Sequence, residues 1–301
     1  MQHLVLILDE SASSFCVYPN PQRSSELMSY EILKKAISFA QRRNLSLNIL
    51  AGKTELPQSY LDSIDLISHL YVQDAQLPAL TRDDILIVDI TDKNDLPPVQ
   101  GVENIIVRVS PNKISKLSKA VLHYVNDVKR INIHLTDVDL FGKQDFDLYQ
   151  KELNKLSDIY KKTLNKELNI LTDRTVLFDM NNCDAGIQHI TLAPNGKLYI
   201  CPAFYYDNPE NTIGHLDDEL QIVNKHLFQL DYAPICRQCD AFHCKRCLWL
   251  NQKTTGEINT PSHEQCVVSH LERNTSRAML SYNQVNTNCI PEINYLDPFE
   301  K

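Results

Sequence analysis

The chain has 301 residues, of which 43% are hydrophobic and 23% are charged, a composition typical of a globular protein with a sizeable core rather than a disordered chain. Its 38 acidic and 30 basic residues give a formal charge of −8 without a long basic run, which excludes nucleic acid as a main partner. The apolar run at the amino terminus ends at Asp9 with no basic flank, so we expect neither a signal peptide nor a membrane helix, and we predict a cytoplasmic protein.

Six short apolar runs in the first half predict β-strands. Runs that are apolar at nearly every position suit parallel strands covered on both faces, which indicates repeated βα units. The predicted fold class is α/β, with a partial, open β/α barrel as the first choice and a doubly wound sheet as the alternative. The predicted strands cover residues 4–8, 45–50, 67–72, 85–90, 105–109 and 131–135.

Two helices are predicted from apolar residues spaced three or four apart. The first begins after Ser24 or Ser25, and the second runs from Asp145 to Lys166 and is interpreted as a bridge between domains. After Thr175 the predicted strands become short and cysteines appear. The chain is therefore divided into a β/α domain at 1–170, a cysteine-rich domain at 171–273 and an extended polar tail at 274–301, in which Cys289 is expected to be a bystander.

Seven of the nine cysteines fall in one segment, and this crowding predicts metal ligation. Because the predicted compartment keeps thiols reduced, metal is favoured over disulfides or inert buried thiols. An Asn195-Gly196 pair predicts a hairpin with a type I′ turn, which would bring the first two of these cysteines towards one end. Spacing alone leaves zinc and iron–sulfur open as the bound metal. The seven predicted ligands are Cys183, Cys201, Cys236, Cys239, Cys244, Cys247 and Cys266.

The spacing of these cysteines resembles the SPASM domain of radical SAM peptide-modifying enzymes. The matching run is Cys183-x12-Gly196-x4-Cys201, then Cys236-x2-Cys239-x4-Cys244-x2-Cys247 and a final Cys266, and Thr212–Leu216 stands where such domains often show a similar short motif. Two intervals depart from the usual pattern, with x4 and x2 where x5 and x3 are usual. The resemblance implies two [4Fe–4S] clusters. One cluster would be held by three cysteines, with one iron left open: Cys183, Cys201 and Cys247. The other cluster would be held by four: Cys236, Cys239, Cys244 and Cys266. His243 and His263 lie close enough in sequence to be substitute ligands, but we do not expect either of them to bind the metal.

The front half resembles the radical SAM barrel in outline, but its first loop departs from that family. The family carries CxxxCxxC there, whereas this loop keeps Cys16 and has Asn20 and Arg23 at the other two positions. A guanidinium stays protonated and cannot ligate iron, so S-adenosylmethionine cleavage is not expected. Only Gly52 and Glu55 match the family's amine-binding motif. Cys16 is interpreted as the surviving loop thiol, either with a catalytic role or as an ordinary half-buried cysteine.

The layout is similar to maturases of bacterial peptide natural products that lack the first cluster, such as the CXXX repeat peptide maturase group. The resemblance implies an iron–sulfur protein acting in maturation of a ribosomally synthesised peptide, with the precursor peptide, and in one version a second modification protein, as partner. Whether the chain is itself an enzyme is left open. An electron-transfer or scaffold subunit for another enzyme and a zinc-binding interaction module are the alternatives. No membrane partner is expected.

Overall fold

A single sheet forms the centre of the molecule. The computed structural model describes residues 1–20, 24–77, 81–91, 96–163, 166–180, 182–218 and 220–283. In these residues the sheet has the strand order β10-β9-β8-β1-β2-β3-β4-β5-β6-β7, numbered along the chain. The strands are β1 (His3–Ile7), β2 (Ser46–Ala51), β3 (His69–Asp74), β4 (Ile85–Asp89), β5 (Asn104–Val109), β6 (Arg130–Leu135), β7 (Glu167–Leu168), β8 (His189–Leu192), β9 (Lys197–Tyr199) and β10 (Gly214–His215).

Helices cover one face of this sheet and build the cysteine-rich part. The helices are α1 (Tyr30–Arg42), α2 (Gln58–Ile64), α3 (Leu117–Tyr124), α4 (Lys143–Tyr160), α5 (Asn169–Val176), α6 (Pro202–Asp207), α7 (Leu248–Thr255) and α8 (His263–Asn283). The first helix begins later than predicted because the Ser29 hydroxyl caps it, accepting the Ile32 N–H at 3.3 Å. In the described residues, the connections from β3 to β4 and from β4 to β5 carry no α-helix, so the expected βα alternation is incomplete.

The strand order confirms the partial, open β/α barrel. Strands β1 to β7 are parallel and adjacent in chain order, whereas a doubly wound sheet would reverse its order at a switch point. All six predicted strands are confirmed, with ends shifted by a residue or two. Strand β8 pairs in parallel with the free side of β1, placing Ile190 opposite Leu4. The hairpin before the cysteine cluster is therefore a continuation of the barrel sheet.

Alternating side chains divide the apolar core between the two faces of the sheet. Leu4 and Leu6 of β1 pack with buried residues of α1, while Val5 and Ile7 lie in the separate apolar cluster on the concave face. This alternation follows from the two-residue period of a strand. The concave face is apolar in its middle and polar at the carboxyl ends of the strands. Strand β4 ends at Asp89, and Arg108 is the last residue but one of β5.

The long helix α4 connects the barrel to the carboxyl-terminal part, as its apolar stripe predicts. The Tyr149 hydroxyl on α4 donates to Glu272 Oε1 on α8 at 2.5 Å. The extended tail predicted from residue 274 is wrong for residues 274–283, which continue α8. The polar sequence conceals this because polar side chains there have buried partners: Ser276 Oγ, for example, donates to the Leu171 carbonyl.

Residues 284–301, including Cys289, lie outside the described residues. The domain division itself stays a prediction, and its first boundary, after residue 170, falls inside α5. Among the described helices, none has both the length and the apolar character needed to cross a membrane.

Candidate metal centres

The hairpin that introduces the first two predicted ligands is present, but its turn differs from the prediction. Gly196 has a φ of 77°, and Asn195 is not among the residues with positive φ, so the turn is not type I′. Pro194 fixes φ near −65° and favours an ordinary type I turn, which Gly196 then closes by donating its N–H to the Ala193 carbonyl at 3.0 Å. The strands β8 and β9 still pair, and they direct Cys201 back towards the segment that holds Cys183.

Four thiols from distant parts of the sequence form what we call the inner group: Cys16, Cys183, Cys201 and Cys247. The thiols of Cys16 and Cys247 are hydrogen-bonded to each other. Cys183 and Cys201 lie close enough to Cys247 to raise its pKa, and Cys16 lies close enough to Cys201 to raise the pKa of that thiol. Cys183 and Cys201 also pack against the same apolar cluster. Tyr18, Phe204 and Trp249 line the other side of the group. Sequence reasoning assigned three of these thiols to one centre and left Cys16 apart.

The titration of the inner thiols reflects their proximity and their burial. The hydrogen bond from Cys247 lowers the pKa of Cys16 to about 7, with burial opposing it and the charges of Arg108 and Lys245 assisting. The same hydrogen bond, together with burial, raises the pKa of Cys247. Burial raises the pKa of Cys183 to about 11. Metal binding here must therefore displace protons from Cys183, Cys201 and Cys247, whose thiol pKa values are raised, and less so from Cys16.

Two of the inner thiols belong to residues that stand at helix starts. Cys201 immediately precedes α6, and the N–H groups of Ala203 and Phe204 partly offset the rise in its thiol pKa that burial causes. Cys247 is the N-cap of the eight-residue helix α7. Helix amino termini favour thiolates, and hydrogen bonds to sulfur raise the reduction potential of iron–sulfur clusters.

The remaining four thiols form what we call the outer group: Cys236, Cys239, Cys244 and Cys266. Two short turns position the first three, with the Cys239 N–H donating to the Cys236 carbonyl at 3.0 Å and the Cys244 N–H donating to the Ala241 carbonyl at 2.8 Å. Cys266 joins them from the first turn of α8. Burial, followed by the neighbouring thiols Cys244 and Cys239, raises the pKa of Cys266 to about 12.

A histidine that sequence reasoning missed lies against the outer group. His270 Nε2 is 3.6 Å from Cys239 Sγ, and it is buried. Its position four residues after Cys266 on a helix was the available signal, since such residues share a face. Of the two histidines considered from the sequence, His243 instead bonds Glu272 Oε2 at 2.9 Å, and exposed His263 lies 3.6 Å from Glu264.

Buried positive charge distinguishes the surroundings of the outer group. Asp240, which follows Cys239, is fully buried and accepts hydrogen bonds from three arginines: Arg174 on α5, and Arg273 and Arg277 on α8. Arg246 is 2% exposed and lies near Cys236 and Cys244 of the outer group and Cys183 of the inner group. Its backbone has a φ of 45°, an uncommon conformation for a side chain of this size.

The two groups supply thiol ligands, which both zinc and iron–sulfur clusters take. Within the described ranges, no three metal-binding side chains converge closely enough to enclose one ion. In a [4Fe–4S] cluster each thiolate binds a different iron, so the four thiols stay apart. In the same described ranges, the buried Nη1 of Arg246 has no hydrogen-bond partner, so an N–H donor remains for an anionic cofactor.

The chain has an extensive likeness to a solved structure. The chain superposes on anSMEcpe, an anaerobic sulfatase-maturating radical SAM enzyme solved with bound AdoMet and Cp18Cys peptide, with a TM-score of 0.64. The fold is radical SAM-like. The match covers 95% of this chain and 100% of that chain at 13% sequence identity, so the likeness establishes the fold alone. No family model matches the sequence, and no curated protein matches it.

In this radical SAM-like barrel, the loop after β1 is fastened across the carboxyl ends of the strands. Arg108, which is 4% exposed, donates from Nε to the Cys16 carbonyl at 2.9 Å and from Nη2 to the Tyr18 carbonyl at 2.8 Å. Its Nη1 donates to Asp89 Oδ1 at 2.9 Å. Asn20 donates to the other Asp89 oxygen and accepts the Ser14 N–H at 2.6 Å.

The residues at the positions compared with S-adenosylmethionine-binding motifs make other contacts. Asn20 takes part in the polar network of the loop, and Arg23 lies outside the described residues. Gly52 lies against the side chain of Asp9, whose carboxylate would be 1.9 Å from a Cβ at that position. Glu55 is exposed. Asp9 thus occupies the space beside the one glycine that matches the amine-binding motif.

Proposed function

We propose that the chain is a two-cluster iron–sulfur protein that acts in maturation of a ribosomally synthesised peptide without cleaving S-adenosylmethionine. One observation carries the proposal: eight thiols lie in two groups of four, on a radical SAM-like fold whose first loop is fastened by Arg108. The proposed ligands are the inner group, for which Cys183, Cys201 and Cys247 carry the sequence pattern, and the outer group.

The surrounding residues would hold the clusters and set their potential. Iron–sulfur clusters, when bound, accept and donate single electrons. The N–H groups of Ala203 and Phe204 lie beside the Cys201 thiol, and the imidazole of His270 would donate to a Cys239 thiolate in the tautomer that carries a proton on Nε2. Arg246 places a positive charge between the two groups. Such donors and charges stabilise the more negative, reduced state of a cluster.

The proposed partner is a peptide. The similar solved structure contains a bound peptide, and the parallel sheet of this chain is open in the same type of fold. The segment Thr212–Leu216, which matches a short SPASM-like motif, contains the two-residue edge strand β10, which pairs with β9. An extended peptide could add to such an edge or lie across the barrel mouth.

The absence of S-adenosylmethionine cleavage is tested by product analysis. The reduced, iron-loaded protein should make no 5′-deoxyadenosine above background, because Asn20 stands at a position where the cleaving cluster needs a thiolate. Formation of 5′-deoxyadenosine that disappears in Cys16→Ala would show a cluster with unusual ligands and contradict the proposal.

Peptide binding is tested by calorimetry with any short peptide that proves to be encoded beside this gene, using a scrambled peptide as the control. Saturable binding of the precursor alone supports maturation. If the peptide does not bind and the loaded protein instead passes electrons to a neighbouring enzyme, the electron-transfer or scaffold role replaces it. Colourless protein containing zinc would support the zinc-binding interaction module.

A further inference from the structure

We infer that Cys16, from the loop after the first barrel strand, is the fourth ligand of the inner centre, which closes the iron that the three-cysteine pattern leaves open. This inference rests on the proposed iron–sulfur function and adds a ligand that the spacing of the other seven cysteines does not contain. It assigns the loop that normally carries the radical SAM cluster to a different metal centre.

The first support is the position of the loop backbone. Arg108 binds the carbonyls of Cys16 and Tyr18, and is itself bound by Asp89. These bonds fix the backbone on both sides of Val17, and the Cys16 N–H donates to Ser14 Oγ at 3.3 Å. The direction of the Cys16 side chain is thus determined by a buried guanidinium rather than by a free loop.

The second support is the surroundings of the Cys16 thiol. It is hydrogen-bonded to the thiol of Cys247, and Cys16, Cys201 and Cys247 all pack against the apolar cluster that contains Tyr18 and Trp249. Cys183 is the remaining member of the inner group, and the other four described cysteines belong to the outer group. Cys16 is therefore the one described thiol available to complete the inner group.

The third support is the chemistry of the centre. Three thiolates leave one iron of a [4Fe–4S] cluster with an open position, which can bind substrate or solvent, whereas four thiolates close it. On ligation the Cys16 thiol releases its proton to solvent and its sulfur bonds the fourth iron. The inner centre would then transfer electrons or stabilise the fold, but would not bind substrate through iron. It would also join residue 16 covalently to a region more than 160 residues later in the chain.

Oxidation by ferricyanide distinguishes closed from open clusters, because a cluster with an unligated iron loses that iron as Fe²⁺, with one electron passing to the oxidant, and leaves a three-iron centre visible by electron paramagnetic resonance. The full chain should be compared with Cys16→Ala and with Ser13→Ala. The latter is a matched control, since it removes the Ser13 bond to Asp74 from the same loop but keeps the thiol.

Wild type and Ser13→Ala should resist oxidation, while Cys16→Ala should give about tenfold more three-iron signal and lose about one iron per chain. Added 2-mercaptoethanol should suppress the signal in Cys16→Ala by supplying a thiolate. If Cys16→Ala does not fold, Cys16→Ser keeps the side-chain size and should shift the spectrum of one cluster only.

Equal three-iron signals from wild type and Cys16→Ala would overturn the inference while leaving the iron–sulfur function standing. Wild-type protein without iron would overturn the proposed function, and with it this inference. Iron content of the wild type and the difference between wild type and variant are separate measurements, so the two failures are distinguishable.

Discussion

The inner and outer thiol groups are built by different means. The outer group comes from one stretch of chain between residues 236 and 266, and buried charge surrounds it: Asp240 with its three arginines, and His270 at Cys239. The inner group joins the barrel loop, the hairpin and the start of α7, and aromatic side chains line it. The outer thiols therefore come from one local segment of the chain, and buried charged side chains hold that segment in place. The inner group is a long-range connection between the two halves of the chain.

Removal of metal should have the largest effect, and it should separate the two regions of the molecule. Residues 225–262 are held by short turns, α7 and small apolar clusters that include the cysteines themselves. Because ligation replaces a core in such segments, chelation should abolish their hydrogen-exchange protection, while β1 to β6 stay protected. Hydrogen exchange followed by mass spectrometry measures this difference, and reloading with iron should reverse it. Unchanged protection in the cysteine-rich segment would contradict the prediction.

The charged surroundings of the outer group can be broken by Asp240→Asn. This change leaves Arg174, Arg273 and Arg277 without their shared buried carboxylate, so we expect a loss of about 3–5 kcal/mol in the free energy of unfolding. Urea unfolding of the loaded protein measures the loss, with the exposed Asp231→Asn as the matched control. A cost below about 1 kcal/mol, typical of a surface ion pair, would show that the network does not support the outer group.

The charge between the two groups can be tested with Arg246→Gln. Removing a cation near both sets of thiols should make reduction less favourable and lower the cluster potentials by on the order of 50–100 mV. Potentiometric titration measures the shift. Arg246→Lys should restore much of the potential, and Arg237→Gln, an exposed neighbour, should leave it unchanged. An equal shift in the Arg237 variant would assign the effect to net charge alone.

Much of this organisation is predictable from sequence, but not the membership of the inner group. The strands are predictable because each is a continuous apolar run, and the outer thiols because their spacing is local. Cys16 reaches Cys247 from a loop that the Arg108 contacts hold in place, and these contacts depend on how β4 and β5 end beside each other. The polar sequence of α8 after residue 274 also misled prediction, since its buried polar side chains have partners on distant helices.

Mild acid should lower the free energy of unfolding by a smaller amount, through one histidine of the barrel. Burial, helped by the charges of Lys245 and Arg108, lowers the pKa of His134 to about 4. Since the unfolded chain takes up a proton near pH 6.5 and the folded chain does not, stability is lost as pH falls from about 6.5 towards 4. Between pH 7.5 and 5.5 the wild type should lose about 1 kcal/mol more than His134→Gln in urea unfolding. Equal losses would mean that His134 is free to titrate in the folded protein.

The most direct test of the two-centre account is the iron and sulfide content of anaerobically reconstituted protein and of single ligand variants. Wild type should be brown and contain about eight irons per chain, since each of two clusters holds about four. Cys239→Ala, in the outer group, and Cys201→Ala, in the inner group, should each retain about half of that iron. Fewer than about two irons with stoichiometric zinc in the wild type, or loss of all iron in either variant, would contradict the existence of two independent iron–sulfur centres.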